Sequence, residues 1–170
     1  MLRLIVMRHA KSSWKEQGQE DHERPLNKRG RRDAPRIAEK LAELGWTPAS
    51  AFVSDAVRTQ ETWGLMQGAW GDDVEVDVEL RPDLYLAGLQ EVKDVFDDHP
   101  DATSPALVLG HNPGWEAMAS ELSGRPLSMT TANAVLLESD ADEWTAALAG
   151  PWKIAQVLRP RELWPDDADE

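Results

Sequence analysis

The sequence predicts a single α/β domain, three layers deep (α/β/α), with a mostly parallel central sheet. Three observations carry that expectation. The chain has 170 residues, a length for one domain rather than two. Short apolar runs alternate with amphipathic stretches in the order βαβαβαβαβαβ, the pattern of a mainly parallel sheet. Three of the runs end on polar residues suited to an anion, and ligands bind outside the carboxyl ends of strands in open α/β sheets.

Leu2, Leu4, Ile5, Val6 and Met7 form a nearly continuous apolar run, as expected for a strand covered on both faces. It stops on Arg8-His9 and gives way to Lys11-Ser12-Ser13. Residues 11–29 show no hydrophobic periodicity and are expected as a loop, of the length that is often functional. Asn27 is placed to cap a helix beginning near residues 28–31. Ala34, Ile37, Ala38, Leu41 and Leu44 share one face of that helix, and Gly45 ends it. Residues 50–53 make a second strand, halted at Ser54-Asp55, either of which is placed to cap a helix over 57–70. Arg58 and Thr59 then fall in its first turn, beside free N–H groups and the positive end of the helix dipole.

Gly71-Asp72-Asp73 reads as a turn, and Val74, Val76 and Val78 alternate with acids as an edge strand. Residues 81–85 connect to a helix marked by Leu89, Val92, Val95 and Phe96, ending before Pro100. His99 sits at its C-terminal end, where a cation is favoured, and is expected to be structural. Residues 106–109 are the clearest central strand. Gly110-His111-Asn112-Pro113-Gly114 follows, with Asn112 fitting an N-cap and Pro113 the first position of a helix running to about Leu122. Residues 134–137 are a strand, 144–148 a short helix and 152–158 a last strand. The domain is expected to span 1–163, and residues 164–170 to form an acidic, disordered tail.

Composition removes several function classes. There is no Cys, which excludes disulfides and thiolate chemistry. Four His among many acids leave a His/carboxylate metal site open, although no H-x-x-x-H or comparable ligand spacing occurs. The N-terminal apolar run is too short for a signal peptide or a membrane span, so a soluble, cytoplasmic protein is expected. The net charge of −13 argues against nucleic acid as a partner. Charge is uneven: residues 1–58 hold 12 Lys/Arg and 8 Asp/Glu, net +4, and the remainder is net −17. An anion site should therefore draw on the first third. Of the eight Trp, Trp14 and Trp115 follow motif residues closely and are expected to wall the site.

Three strand ends thus carry Arg8-His9, Ser54 with Arg58, and His111. Two guanidiniums, a helix N-terminus and two imidazoles suit a phosphoryl group, whose oxygens arginine matches bidentately. A neutral imidazole is a good nucleophile toward phosphorus, and nearby arginines disfavour the imidazolium.

Arg8-His9-Ala10 resembles the Arg-His-Gly/Ala signature of the histidine phosphatase (phosphoglycerate mutase-like) superfamily. The run from Ser54 to Thr62 resembles its second motif, and Gly110-His111-Asn112-Pro113-Gly114 its third. Within the superfamily the chain is most similar to the SixA-type phosphohistidine phosphatases. That similarity rests on Arg8 to Ser12, Asp21 to Leu26, Gly30, Leu84-Tyr85, His111 to Gly114 and Met129 to Thr131, and covers residues 1–163. The resemblance implies a phosphoglycerate mutase-like fold and strand order. It implies that His9 attacks phosphorus and carries the phosphoryl group while Arg8, Arg58 and His111 surround its oxygens. Ser12, Asp21, Ser54, Asn112 and Thr131 are the substrate contacts expected beside them. No metal or organic cofactor is implied. The implied partner is a phosphohistidine-bearing protein, such as a phosphorelay component, and a monomer is expected.

The general acid has no clear candidate beyond Asp21, Glu79 and Asp83. Mutase-like relatives carry a Glu in an insertion between the second and third motifs. Here about 50 residues separate Arg58 from His111, and helix, strand and helix consume them. A site without a lid should be open to a side chain displayed on a folded protein. A small-molecule phosphomonoester phosphatase or mutase on the same scaffold, and a non-catalytic phosphate-binding module, are the alternatives.

Overall fold

A computed structural model describes residues 1–14 and 18–167. Its central sheet holds β1 (Leu2–Arg8), β2 (Ser50–Ser54), β3 (Asp77–Arg81), β4 (Ala106–Gly110), β5 (Ala134–Ser139) and β6 (Lys153–Leu158). The order across the sheet is β3-β2-β4-β1-β5-β6. β1, β2, β3 and β4 run parallel, β5 is antiparallel to β1, and β6 is antiparallel to β5. A single reversed strand therefore separates the sheet from a fully parallel one.

The helices are α1 (Lys28–Glu43), α2 (Val57–Trp70), α3 (Leu89–Asp98), α4 (Gly114–Ser123), α5 (Trp144–Ala149) and α6 (Pro160–Leu163). Alternation along the strands divides the core in two. Ile5, Met7, Val53 and Leu109 face α1 and α2, where Ile37, Leu41 and Met66 close the layer. Leu4, Val6, Phe52 and Val108 face α3, α4 and α5, against Phe96, Trp115 and Trp144. Burial on both sides is why these strands read as unbroken apolar runs rather than alternating ones.

Asn27 caps α1 as expected, its Oδ1 accepting the Gly30 N–H at 2.9 Å, and Gly45 follows the helix with φ +76°. Four expectations are corrected. First, neither Ser54 nor Asp55 caps α2. The N-cap position is Ala56, and the Thr59 hydroxyl instead donates to the Ser54 carbonyl at 2.7 Å. Second, the edge strand is displaced from 74–78 to Asp77–Arg81, because pairing with β2 begins only at Ser50 opposite Asp77. Third, the stretch after β1 is not structureless. Ser12 bridges Leu26 in antiparallel fashion, the Asn27 N–H donates to the Lys11 carbonyl at 2.9 Å, and Asp21–Glu23 form a 3-10 turn. Residues 15–17 of that stretch lie outside the described residues.

Fourth, the acidic tail is ordered as far as it is described. Pro165–Asp167 form a 3-10 turn, with Asp167 Oδ2 2.6 Å from Arg36 Nη1. The basic outer face of α1 thus holds the acidic segment by charge. Residues 168–170 of the tail lie outside the described residues. His99 is structural, with Nε2 2.7 Å from Glu79 Oε2 and its ring beside Phe52. Among the described residues no helix is long and apolar enough to cross a membrane.

Candidate active site

β2, β4 and β1 are neighbours in the sheet, so their carboxyl ends deliver Arg58, His111 and Arg8-His9 to one place. A cleft of about 640 Å³ opens there. Arg8, His9, Arg58 and His111 line it, together with Ser12, Asp21, Asn112 and Thr131. Of the residues expected at the site, Ser54 does not line the cleft. It is fully buried behind His111, with its Oγ 2.8 Å from His111 Nε2.

The His9 ring is fixed by its own strand end. Nδ1 lies 2.7 Å from the Ala10 carbonyl oxygen. A carbonyl only accepts, so Nδ1 bears the hydrogen and in the neutral ring Nε2 is unprotonated, its lone pair facing the Arg58 Nε–H. Burial, aided by His111, Arg58 and Arg8, lowers the His9 pKa to about 3, against the opposing bond to Ala10. His111 is also lowered to about 3, by burial and then by Arg58. The two ring centroids are 5.2 Å apart. Both imidazoles are therefore neutral near pH 7.

The arginines are held from several sides. Arg58 Nη1 donates to the Asp21 carbonyl at 2.6 Å and Nη2 to its Oδ2 at 3.0 Å, while Nε faces His9 Nε2 at 3.4 Å. Arg8 Nη1 donates to the Met129 carbonyl at 2.9 Å. Arg8 Nε and His111 Nδ1 are buried and have no hydrogen-bond partner among the described residues. Unpaired buried polar atoms are costly, and a concentration of them beside guanidiniums is what an anion would relieve. Asn112 contributes on both sides of the α4 terminus. Its Oδ1 accepts the Glu116 N–H at 3.2 Å and its Nδ2 donates to the Met129 carbonyl at 2.8 Å. α4 itself begins at Gly114, one residue later than expected.

Two residues that received no role from the sequence complete the site. Arg24 Nε donates to Asp21 Oδ1 at 3.0 Å and its Nη1 to Ser12 Oγ at 2.7 Å. The Tyr85 hydroxyl donates to Asp21 Oδ2, and its ring stands edge-on to His111 at 5.4 Å. Burial alone would raise the Asp21 carboxyl, but the hydrogen bonds from Tyr85 and Arg58 outweigh it and hold the group well below the usual carboxylate range. Asp21 is thus an ionised anchor, not a proton donor. Glu79 and Asp83, the other acids considered, pair with Arg81 at 2.9 and 2.8 Å and do not line the cleft. Trp14 stands at the cleft, whereas Trp115 does not; it is fully buried in the core, its indole N–H donating to the Val108 carbonyl at 3.1 Å.

Residues 4–85 match the family described as the histidine phosphatase superfamily (branch 1). The chain belongs to the histidine phosphatase superfamily. An uncharacterized chloroplastic protein of Arabidopsis thaliana is 38% identical, over 93% of this chain and 78% of that protein. Among solved structures, a protein of Agrobacterium tumefaciens assigned as a phosphohistidine phosphatase SixA superposes with a TM-score of 0.79 at 24% identity, covering 94% of this chain and 98% of that one. The protein histidine phosphatase SixA in complex with tungstate superposes with a TM-score of 0.78 at 19% identity, covering 95% and 99%. The histidine phosphatase fold is thus shared along nearly the whole of each chain.

Proposed function

We propose that this histidine phosphatase removes phosphoryl groups from phosphohistidine on proteins, with His9 as the covalent carrier. The observation that supports it best is the His9 ring, whose Nδ1–H is tied to the Ala10 carbonyl and whose unprotonated Nε2 accepts from Arg58 in the cleft that Arg8 and His111 also line. As the Nε2–P bond forms, the P–N bond to the substrate imidazole breaks, and that ring takes up a proton from water and leaves neutral. Water then attacks phospho-His9, the P–Nε2 bond breaks, and phosphate is released. Arg8 and Arg58 neutralise the charge on the phosphoryl oxygens, the kind of preorganised stabilisation that is usually the largest catalytic contribution.

His111 works as a neutral donor in this reading. Ser54 Oγ already accepts the Ala56 N–H at 3.4 Å, so its own hydrogen is available to His111 Nε2. The His111 proton then resides on Nδ1, the atom without a partner among the described residues. Ser54 is a positioning residue rather than a substrate contact. Ser12, Asn112 and Thr131 line the remaining wall as proposed substrate contacts, and residues 1–163 are the proposed catalytic domain. Two features favour a P–N substrate. No carboxylic acid among the described cleft residues is free to protonate an alkoxide, and an imidazole leaves more readily than an alkoxide. The two SixA-named structures, which share the fold, point the same way.

The cleft volume of about 640 Å³ also suits a small ligand, which keeps a phosphomonoester phosphatase as the second reading. A side-by-side assay in EDTA separates them, using a phosphohistidine-bearing protein and a panel of phosphate monoesters with wild type and His9→Ala. Rapid, His9-dependent loss of phosphohistidine with poor monoester turnover is expected. Preference for one small monoester would transfer the protein to the second reading.

A further inference from the structure

We propose that Trp14 and Leu86 form an apolar docking lip for the protein that carries the phosphohistidine. The inference rests on the phosphohistidine reading above and adds the surface that selects a macromolecule. Among the described residues, Leu86 at 88% and Trp14 at 72% are the most exposed large hydrophobic side chains. Single exposed apolar residues are ordinary, and need no explanation. These two, however, come from separate loops, one after β1 and one between β3 and α3, and both line the same cleft. The other exposed aliphatics, Val74, Val78 and Leu80, lie on or before the edge strand β3.

Trp14 is exposed but not loose. The Arg24 guanidinium lies 3.4 Å from its ring centroid, and Arg24 is itself buried and bonded to Ser12 and Asp21. A cation stacked on one face fixes the ring and leaves the remainder to water, a preorganised contact of the sort that anchors interfaces. Leu86 directly follows Tyr85, whose hydroxyl is tied to the same Asp21. Asp21 therefore couples both lips to Arg58 at the floor of the site.

The occupant follows from charge. In a chain of net charge −13, the cleft gathers Arg8, Lys11, Arg24 and Arg58 against one carboxylate, Asp21. Its floor suits an anion and its lip suits apolar side chains. A phosphorylated side chain projecting from a folded protein, with apolar neighbours around it, satisfies both. A small phosphate ester would engage the floor and leave Trp14 and Leu86 wet.

The test compares wild type with Trp14→Ala, Leu86→Ala and Trp14→Phe on a phosphohistidine-bearing protein and on phosphoramidate, a P–N substrate with no protein surface. The ratio of kcat/KM for the protein to that for phosphoramidate should fall about 10-fold in each alanine variant, through KM, and Trp14→Phe should retain most of it. An unchanged ratio, or an equal fall on both substrates, would overturn the docking lip while leaving the phosphatase reading intact. Wild type that turns over phosphoramidate but not the phosphoprotein would overturn both.

Discussion

In the proposed mechanism His9 and His111 act as neutral imidazoles. With both pKa values near 3, the unprotonated Nε2 of His9 is present above that value and is lost as pH falls through it. An NMR titration of the imidazole resonances should therefore show both rings neutral down to about pH 4, and a midpoint for either near the ordinary value of about 6.5 would contradict the assignment. Stability carries the same sign. Between about pH 6.5 and 3 the unfolded chain takes up protons that these buried rings refuse, so this contribution is complete above about 6.5 and is lost as the solution is acidified. Arg58→Ala removes the guanidinium that faces His9 and Asp21, and is expected to lower kcat about 10²–10³-fold. His9→Ala should abolish turnover and still bind phosphate, measurable by calorimetry. The roles of Arg8, His9, Arg58 and His111 were suggested by residue type at strand ends. Those of Arg24 and Tyr85 were not, because each acts through Asp21, a contact spanning 64 residues in the case of Tyr85 that only the folded chain creates.

The elements that carry these side chains are positioned by close backbone contacts. A Cβ on Gly114 would stand 1.7 Å from the Ala87 carbonyl oxygen, so the loop bearing Tyr85 and Leu86 rests directly on the start of α4. Gly114→Ala must push that loop away. It should cost about 1–3 kcal/mol of stability and lower kcat/KM, checked by denaturant melts alongside the assay; an unchanged value of both would contradict the close seating. Gly30 plays the equivalent part under Lys11, whose carbonyl oxygen a Cβ would approach to 2.2 Å. At this scale, long periodic segments were legible and their edges were not. α1 was marked by its apolar face and by Asn27, whereas β3 was displaced because Val74 and Val76 mimic strand alternation before pairing with β2 begins. The ordered turn at Pro165–Asp167 escaped composition-based reading because its partner, Arg36, lies 131 residues away in sequence.

Across the whole molecule, the sheet order assembles the cleft. β4 lies between β1 and β2, and this crossover brings the three polar strand ends to one cleft. The alternation of apolar runs conveyed the layered α/β class, but local pattern holds no information on which strands become neighbours, so the order rested on family likeness. The charge asymmetry was legible too, and the cationic cleft is drawn largely from the first 58 residues. In the proposed mechanism the phosphoryl group passes through His9. The most direct measurement mixes enzyme with ³²P-phosphoramidate in EDTA for a single turnover, quenches in alkali and maps the labelled peptide. Acid-labile, alkali-stable label is expected on the peptide containing His9 in wild type and none in His9→Ala. Substrate consumption by wild type without label on that peptide, or label retained in His9→Ala, would contradict it.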